Sequence, residues 1–204
     1  MICAILLAAG TSSRMGPSNK LLLDVGNGQP LVRTMAEQLA GAPFDEVVVV
    51  TGFESGDVKC ALEGLPVRII ENPAYESGMT TSIIAGLRAI APDAHFLVGL
   101  SDMPLLTAKH YKLLLAEFEA ALIDTAHPIV KPSLNGVPGN PAIFHAVYRE
   151  EVLSLTDLHA GCKPVLQHHA DSVIQPKGLP DVFFLDMDRP EEYQEMRMRM
   201  NREG

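Results

Sequence analysis

Short, mainly apolar runs alternate along the first half of this chain with segments of helical periodicity. The runs are typical of strands covered on both faces of a sheet, and they occupy residues 2–7, 47–50, 67–70 and 95–100. Apolar side chains at helical spacing fill the stretches between them, at residues 30–40, 58–62 and 80–90. Repeated strand, helix and strand is the βαβ pattern. It predicts a mostly parallel, Rossmann-like sheet with helices on both faces.

The second half of the chain continues this alternation less regularly. Helices are predicted over residues 111–122, 148–155 and 163–169, with a last helix from Pro190. Strands are predicted over residues 129–131, 142–144 and 182–186. Because no repeat, linker or low-complexity segment interrupts the pattern, we predict one α/β domain over residues 1–204.

The charge of the chain limits the partners it can bind. Lys and Arg number 16 against 25 Asp and Glu, a formal net charge of −9. Sequence-independent binding to nucleic acid needs a basic face, so a nucleic-acid partner is not expected. The first forty residues differ from the rest, since they hold Arg14, Lys20 and Arg33 against Asp24 and Glu37. The acidic chain therefore begins with a small basic region.

Cysteine spacing and apolar run length indicate the compartment. Cys3, Cys60 and Cys162 are too far apart for a metal knuckle or a redox pair, which suits a reducing cytoplasm. Residues 1–10 resemble a secretory apolar stretch, but the first charge is Arg14, so a buried strand is predicted. No run approaches the ~20 apolar residues that cross a bilayer. We expect a cytoplasmic protein without a membrane partner.

The loop after the first strand combines small residues with two cations. Small residues let backbone N–H groups approach a phosphate or a base, while Arg14 and Lys20 supply positive charge. A solvated turn with two surface cations is the alternative. The spacing is neither G-x-x-x-x-G-K-[ST] nor G-x-G-x-x-G, which disfavours P-loop kinases and Rossmann oxidoreductases. The predicted nucleotide contacts here are Leu7, Ala8, Ala9, Gly10, Thr11, Ser12, Ser13, Arg14, Met15, Gly16 and Lys20.

Carboxylates follow two of the predicted strands, where ligands of open α/β sheets bind. Asp102 comes directly after the strand over residues 95–100 and is a candidate ligand for Mg²⁺. Helix capping before Pro104 is the alternative. Asp186 and Asp188 would face the same side of an extended segment and could bind the same metal, although Asp188 could also cap the last helix.

Two polar segments are candidate walls of the substrate site. Residues 72–82 form a polar turn that leads into a helix, and Gly78 and Ser82 could bind a base through hydrogen bonds. Helix capping explains the same residues equally well. Residues 135–141 are too rich in Gly and Pro for regular structure and could line an acceptor pocket. A plain hairpin loop is the alternative.

Together these motifs resemble the nucleotidyltransferases with a MobA-like NTP transferase domain, and most of all their molybdenum cofactor cytidylyltransferase branch. Residues 7–16 and 20–22 resemble the opening signature of that family. Further similar motifs follow in family order: Thr51-Gly52, Asn72-Pro73 with Gly78 and Ser82, Asp102-Met103-Pro104-Leu105, Gly139-x-Pro141, and Asp186-x-Asp188 with Pro190-Glu191.

The resemblance implies a fold and a role for each motif. The fold would be of the nucleotide-diphospho-sugar transferase type, with the opening loop around a nucleotide triphosphate. Arg14 and Lys20 would contact its phosphates, and Mg²⁺ would be held by Asp102, Asp186 and Asp188. Further nucleotide contacts would be Thr51, Asn72, Gly78, Ser82 and Ser101, and acceptor contacts Gly139, Asn140 and Pro141.

The implied reaction is transfer of CMP from CTP to a phosphorylated pterin, molybdopterin, with release of pyrophosphate. Cytidine is implied because the guanylyl branch has Gly where this chain has Ala9. A molybdenum hydroxylase or its chaperone would be the partner. Two alternatives stay open: another phosphate acceptor such as a sugar phosphate, and a protein that delivers the pterin cofactor without catalysis.

Overall fold

A seven-stranded sheet forms the centre of the protein, in the order β3-β2-β1-β4-β8-β5-β9. It is seen in a computed structural model that describes residues 1–12 and 19–203, with side chains as far as residue 200. The strands are β1 (Ile2–Ala8), β2 (Glu46–Thr51), β3 (Arg68–Glu71), β4 (His95–Leu100), β5 (Ile129–Val130), β6 (Ser133–Leu134), β7 (Val137–Pro138), β8 (Ala142–Phe144) and β9 (Val173–Ile174). Strands β6 and β7 form a separate hairpin.

The sheet is mostly parallel, as predicted. Strand β8 pairs antiparallel with both β4 and β5, whereas the other pairings are parallel. Strands β1, β2, β3, β4, β5 and β9 therefore end at the same edge of the sheet. This edge is where loops from distant parts of the sequence meet.

Helices cover both faces of the sheet. In chain order they are α1 (Leu31–Ala40), α2 (Ser55–Ala61), α3 (Met79–Ala89), α4 (Ala108–Asp124), α5 (Arg149–Leu153), α6 (Lys163–His168) and α7 (Pro190–Glu203). Residues of α1, α2, α4 and α7 join one buried cluster, and residues of α3, α5 and α6 join the other. In the described part of the chain, no helix has the length and apolar character needed to span a membrane.

The alternation of side chains along β1 explains why this strand is apolar throughout. Ile5 and Leu7 belong to the cluster on the α3 face, while Ala4 and Leu6 belong to the cluster on the α1 face. Because both faces are covered, a polar residue would be buried on either side. Full burial of Ile5 or Leu6 stabilises the fold by about 1.5–3 kcal/mol each.

Two details of the predicted elements are wrong. Residues 182–186 are not a strand, because a 3-10 turn covers Asp181–Phe184 and the carbonyl of Phe183 accepts a hydrogen bond from Asn140 instead of pairing in the sheet. The apolar residues there bury Phe183 in the core. The outer strand beside β5 is β9, which the sequence analysis missed.

Candidate active site

A lysine and two aspartates from three distant segments meet at the carboxyl edge of the sheet. The ammonium of Lys20 donates hydrogen bonds to Asp102 Oδ2 at 2.8 Å and to Asp188 Oδ1 at 2.8 Å. It also donates to the carbonyl oxygen of Met187 at 3.0 Å. These contacts bridge 82 and 168 residues of sequence. The structure thus brings together three of the predicted site residues.

The backbone around Lys20 is held by two neighbouring polar side chains. Ser12 Oγ accepts a hydrogen bond from the Lys20 N–H, and Asn19 Oδ1 accepts one from the Leu21 N–H. Asn19 is the residue before a single 3-10 turn, Lys20–Leu22, and is buried. Since Leu21 is anchored in the core, the turn points Lys20 toward the ends of the strands.

The loop after β4 is tied to the same edge. The Ser101 hydroxyl donates to the Leu7 carbonyl oxygen at 2.6 Å, and the Met187 N–H donates to the Asp102 carbonyl oxygen at 2.8 Å. Met187 is fully buried, whereas Asp186 and Asp188 lie outside the core. These bonds place Asp102 beside Asp188.

The surroundings of the cluster favour the protonated, charged form of Lys20 and disfavour the ionised form of Asp186. Burial lowers the pKa of Lys20, but the charge of Asp102 and hydrogen bonds to Asp102 and Asp188 outweigh it, so the pKa is raised above its ordinary value. Burial raises the pKa of Asp186, and the charges of Asp102 and Asp188 raise it further. Negative charge is therefore in excess around Asp186.

The aspartates of this cluster are suited to bind a divalent cation. The Oδ1 atom of Asp102 is buried and has no hydrogen-bond partner among the described residues. A buried carboxylate oxygen without a partner is costly and is a natural ligand for a hard metal ion. Asp188 contributes a second carboxylate to the same cavity wall. Asp186 is exposed and does not line the cavity, but the charges of Asp102 and Asp188 contribute to its raised pKa.

Helix capping does not explain Asp102, and Asp188 takes part in an ion pair beside the last helix. Helix α4 begins at Ala108, where Thr107 and His110 form a capping box, so Asp102 is not its N-cap. At the start of α7, Glu192 Oε2 accepts the N–H groups of Asp188 and Arg189 at 2.7 Å and 2.8 Å. The Asp188 carboxylate accepts a hydrogen bond from the Lys20 ammonium.

A cavity of about 290 Å³ opens next to the cluster. Its walls contain many of the predicted nucleotide and metal residues: Leu7, Ala9, Gly10, Ser12, Lys20, Ser82, Ser101, Asp102 and Asp188. The sequence analysis did not single out Leu21, Tyr75, Met79 and Leu100, which also line it. Tyr75 packs directly against Gly52, since a Cβ added to Gly52 would lie only 2.6 Å from Cγ of the Tyr75 ring. Tyr75 could have been predicted as a cavity residue, because it is the one aromatic residue in the turn over residues 72–82.

Other predicted nucleotide residues lie behind or outside the cavity wall. Ala8 and Thr51 are fully buried, and Thr51 Oγ1 is hydrogen-bonded to Ser55 Oγ at 2.9 Å. Thr11 is exposed. Ser13, Arg14, Met15 and Gly16 lie outside the described residues.

The residue types at positions 72 and 78 are explained by local structure, at the start of α3. The Asn72 amide donates to Thr81 Oγ1 at 2.8 Å and to Ser82 Oγ at 3.0 Å, which fixes the start of α3. Gly78 has φ +132°, and a Cβ there would overlap the Leu158 backbone. Of this segment only Ser82, Tyr75 and Met79 face the cavity.

The predicted acceptor residues border a second cavity, of about 560 Å³. Asn140 lines it, whereas Gly139 and Pro141 are buried on either side. Residues 135–141 are not wholly irregular, because β6 and β7 form the hairpin that was the alternative. A residue that the sequence analysis missed, Lys131, also lines this cavity. A single cation directly after a buried strand was the signal.

The fold is an open α/β sheet with a cavity at its carboxyl edge, where ligands of such sheets bind. Residues 4–173 match the family model for the MobA-like NTP transferase domain. The chain belongs to this family and is a nucleotidyltransferase, as the resemblance of its motifs implied.

Similar proteins carry more than one name. Nicotine blue oxidoreductase of Paenarthrobacter nicotinovorans is 33% identical over 168 residues, which cover 81% of each chain. The probable molybdenum cofactor guanylyltransferase of Natronomonas pharaonis is 28% identical over 95% of this chain and 88% of its own. The molybdenum cofactor cytidylyltransferase of Escherichia coli is 29% identical over 76% of this chain and 78% of its own.

A solved structure shows the same fold at low sequence identity. A nucleotidyl transferase from Methanothermobacter thermautotroptrophicus superposes with a TM-score of 0.83 and 22% identity. The match covers 100% of this chain and 99% of the other.

Proposed function

We propose that this protein transfers CMP from CTP to a phosphorylated pterin, molybdopterin, and releases pyrophosphate in a reaction that needs Mg²⁺. The observation that carries the proposal is the cluster of Lys20, Asp102 and Asp188 in the wall of the cavity at the carboxyl edge. Ligands of open α/β sheets bind at this edge. The cluster supplies a cation for phosphate oxygens and carboxylates for a metal.

The transfer itself needs no side-chain nucleophile. An anionic oxygen of the acceptor phosphate attacks the α-phosphorus of CTP in line. A new P–O bond forms as the bond to the oxygen between the α- and β-phosphorus breaks, and pyrophosphate leaves with that electron pair. The protein contributes by positioning the reactants and by neutralising their negative charge.

Lys20 is proposed to neutralise charge on the triphosphate. Its three ammonium hydrogens are donated to Asp102, Met187 and Asp188, so binding to a phosphate requires exchange of at least one of these contacts. The raised pKa keeps the amine protonated at neutral pH. Arg14 is proposed to contact the phosphates from the same loop.

Asp102 and Asp188 are proposed to hold Mg²⁺, with Asp186 nearby. The buried Oδ1 of Asp102, which has no hydrogen-bond partner among the described residues, supports this assignment. When bound, Mg²⁺ would neutralise phosphate charge and orient the reacting groups. Burial raises the pKa of Asp186, and the charges of Asp102 and Asp188 raise it further, so a cation between these carboxylates would be favoured.

Ala9 is proposed to favour cytosine over a purine. Its side chain lies in the wall of the cavity of about 290 Å³. The Ala9 Cβ would be 2.9 Å from a Cβ added to Gly52, so the two residues are closely packed. A methyl group there leaves less room for a base than a glycine does. The cytidylyltransferase and the guanylyltransferase are similarly distant relatives, so this residue, and not overall identity, supports CTP.

We propose a cytoplasmic enzyme whose product passes to a molybdenum hydroxylase or its chaperone. A relative that is 33% identical is named nicotine blue oxidoreductase, which makes an oxidoreductase activity the second candidate. The loop after β1 has Gly10 and Gly16 but not the G-x-G-x-x-G spacing of dinucleotide-binding loops. Nucleotidyl transfer is therefore preferred.

The test is a pyrophosphate-release assay with each of the four NTPs, with and without molybdopterin and Mg²⁺. We expect release only with CTP, acceptor and metal together. Preference for GTP would contradict the role of Ala9, and release with a sugar phosphate would replace the acceptor. Tight pterin binding without release, or NAD(P)H consumption with nicotine blue, would instead support delivery or oxidoreduction.

A further inference from the structure

Two histidines and a glutamate form a cluster, here called the His–Glu cluster, that joins α5 to the end of α6. Glu151 lies in α5, His168 is the last residue of α6, and His169 follows it directly. Glu151 Oε1 lies 2.9 Å from His168 Nδ1, and Glu151 Oε2 lies 2.6 Å from His169 Nε2. One nitrogen or oxygen atom from each of the three side chains lies within 4.8 Å of the other two. The carboxylate thus lies between two imidazole rings.

The His–Glu cluster lies at the opposite edge of the sheet from Lys20 and Asp102. Strand β8 runs antiparallel to β4, so it ends at that opposite edge, and α5 follows it after a single 3-10 turn. Strand β9 runs parallel to β5 and therefore begins at the same edge, shortly after His169. The described lining of neither cavity includes a side chain of the cluster. The cluster is therefore separate from the candidate active site.

Buried neighbours hold the backbone around the cluster in place. Val152 in α5 and Val165 in α6 are fully buried and belong to the apolar cluster on the α3 face of the sheet. The ring of Tyr148, which is also buried, packs against the ring of His169, with 4.7 Å between the ring centroids. Side chains anchored in this way are partly ordered before an ion binds, which lowers the entropic cost of binding.

Two imidazole nitrogens and a carboxylate oxygen are the donor atoms of a transition-metal site. Zinc in open sites is bound by three protein ligands of this kind, with water in the fourth position. Mg²⁺ prefers oxygen ligands, such as the carboxylates of Asp102 and Asp188. Ligand atoms at about 2.0–2.2 Å from a tetrahedral zinc ion lie about 3.4 Å from one another. The spacing in the His–Glu cluster is close to this, so small side-chain rotations are enough to receive an ion.

Hydrogen bonds within the cluster are the alternative explanation of its geometry. They require a hydrogen on each ring nitrogen that faces Glu151, whereas metal binding requires a lone pair there. A neutral imidazole satisfies either requirement, because its hydrogen resides on one ring nitrogen or on the other. Exposed pairs of a histidine and a carboxylate contribute little to stability. The two explanations therefore differ in the metal affinity that they predict.

We propose that Glu151, His168 and His169 form a binding site for a divalent transition-metal ion of the zinc class, which ties α5 to α6 outside the candidate active site. One imidazole nitrogen of each histidine and one oxygen of the glutamate bind the ion, and water completes its shell. The hydrogen of each imidazole then resides on the ring nitrogen that faces away from the ion. The proposal does not depend on which substrate the enzyme uses.

The test is a titration of Zn²⁺ into the untagged, metal-free chain, followed with a competing fluorescent zinc indicator. Excess Mg²⁺ is present to occupy sites made of oxygen atoms alone. Glu151→Gln and His168→Gln each remove one ligand. The matched controls are Glu150→Gln, an exposed neighbour in the same helix, and His127→Gln, an exposed histidine outside the cluster. We expect one zinc ion per chain, at least tenfold weaker binding in the two cluster variants, and affinities within about twofold of the wild type in the controls.

Thermal unfolding of the same samples gives a second measurement. Zn²⁺ should raise the Tm of the wild type and of both controls, but not that of the cluster variants, because an ion that binds only the folded state stabilises it.

Three outcomes would overturn the proposal. They are no zinc binding by the wild type, unchanged affinity in both cluster variants, and an equal loss in a control or in Cys60→Ser, which removes an exposed thiol. If Glu151 only held the histidines together, Glu151→Gln would lower the Tm of the metal-free protein and leave its zinc affinity unchanged. The His168 side chain is 72% exposed, so His168→Gln should fold and keeps the test decisive should Glu151→Gln not fold.

Discussion

Replacement of Asp102 by asparagine tests whether this carboxylate serves the reaction or the fold. Asp102→Asn keeps the size of the side chain and removes its charge. The ion pair that it loses has Lys20 Nζ and Asp102 Oδ2 2.8 Å apart, with the two side chains 12% and 18% exposed. At an effective dielectric constant of about 20, the attraction at that distance is about 6 kcal/mol before desolvation.

Most of that attraction does not appear as stability. Both charges lose hydration when the protein folds, and Lys20 keeps its contacts with Asp188 and Met187 in the variant. Loss of the Asp102 charge also relieves the repulsion that contributes to the raised pKa of Asp186. We therefore expect the free energy of unfolding to change by no more than about 1–2 kcal/mol.

The effect on the rate should be much larger. Loss of one group that stabilises transition-state charge costs about 3–4 kcal/mol, which is about a hundredfold to thousandfold in kcat/KM. The assay is pyrophosphate release with CTP, molybdopterin and Mg²⁺, alongside urea unfolding of the same samples. Asp93→Asn is the control, because Asp93 is exposed in the turn before β4, at the opposite end of that strand. Wild-type turnover by Asp102→Asn, or equal losses in the two variants, would refute the role of Asp102.

Three further predictions concern stability and base choice. Lys131→Met should be more stable than the wild type at pH 7, by up to about 3 kcal/mol, because folding lowers the pKa from 10.5 to about 8. A lowered lysine pKa makes the stability of the wild type rise between pH 8 and pH 10.5, so the advantage of the variant should shrink across that interval in urea titrations; a constant difference would contradict this. Gly78→Ala should lower the free energy of unfolding by at least about 2 kcal/mol, since φ is +132° and the added Cβ meets the Leu158 backbone, and an unchanged urea midpoint would refute this packing. Ala9→Gly should raise the kcat/KM of GTP relative to that of CTP by about tenfold, and an unchanged ratio would show that Ala9 does not select the base.

The strands and helices were largely predictable because their signals are local. The apolar run over residues 2–7 became strand β1, which is buried from Cys3 onward, and residues 30–40 became α1 with Leu31, Met35 and Leu39 on its buried face. The segment over residues 182–186 misled the prediction, because Phe183 reaches the core from a 3-10 turn. An apolar run predicts that side chains are buried but does not distinguish a strand from a short turn, because either can bury a side chain.

The sequence by itself determined which residue types stand at the ends of the strands. Asp102 after β4 and the small residues around Gly10 after β1 could be read in order along the chain, because the edge where parallel strands end is set by their direction. Only the tertiary structure decided that Lys20 bridges Asp102 and Asp188, and that Lys131 faces a cavity whose described lining contains no carboxylate. Pairings across 82 and 168 residues depend on the order of strands in the sheet and on the direction of each side chain, and neither is encoded in local spacing.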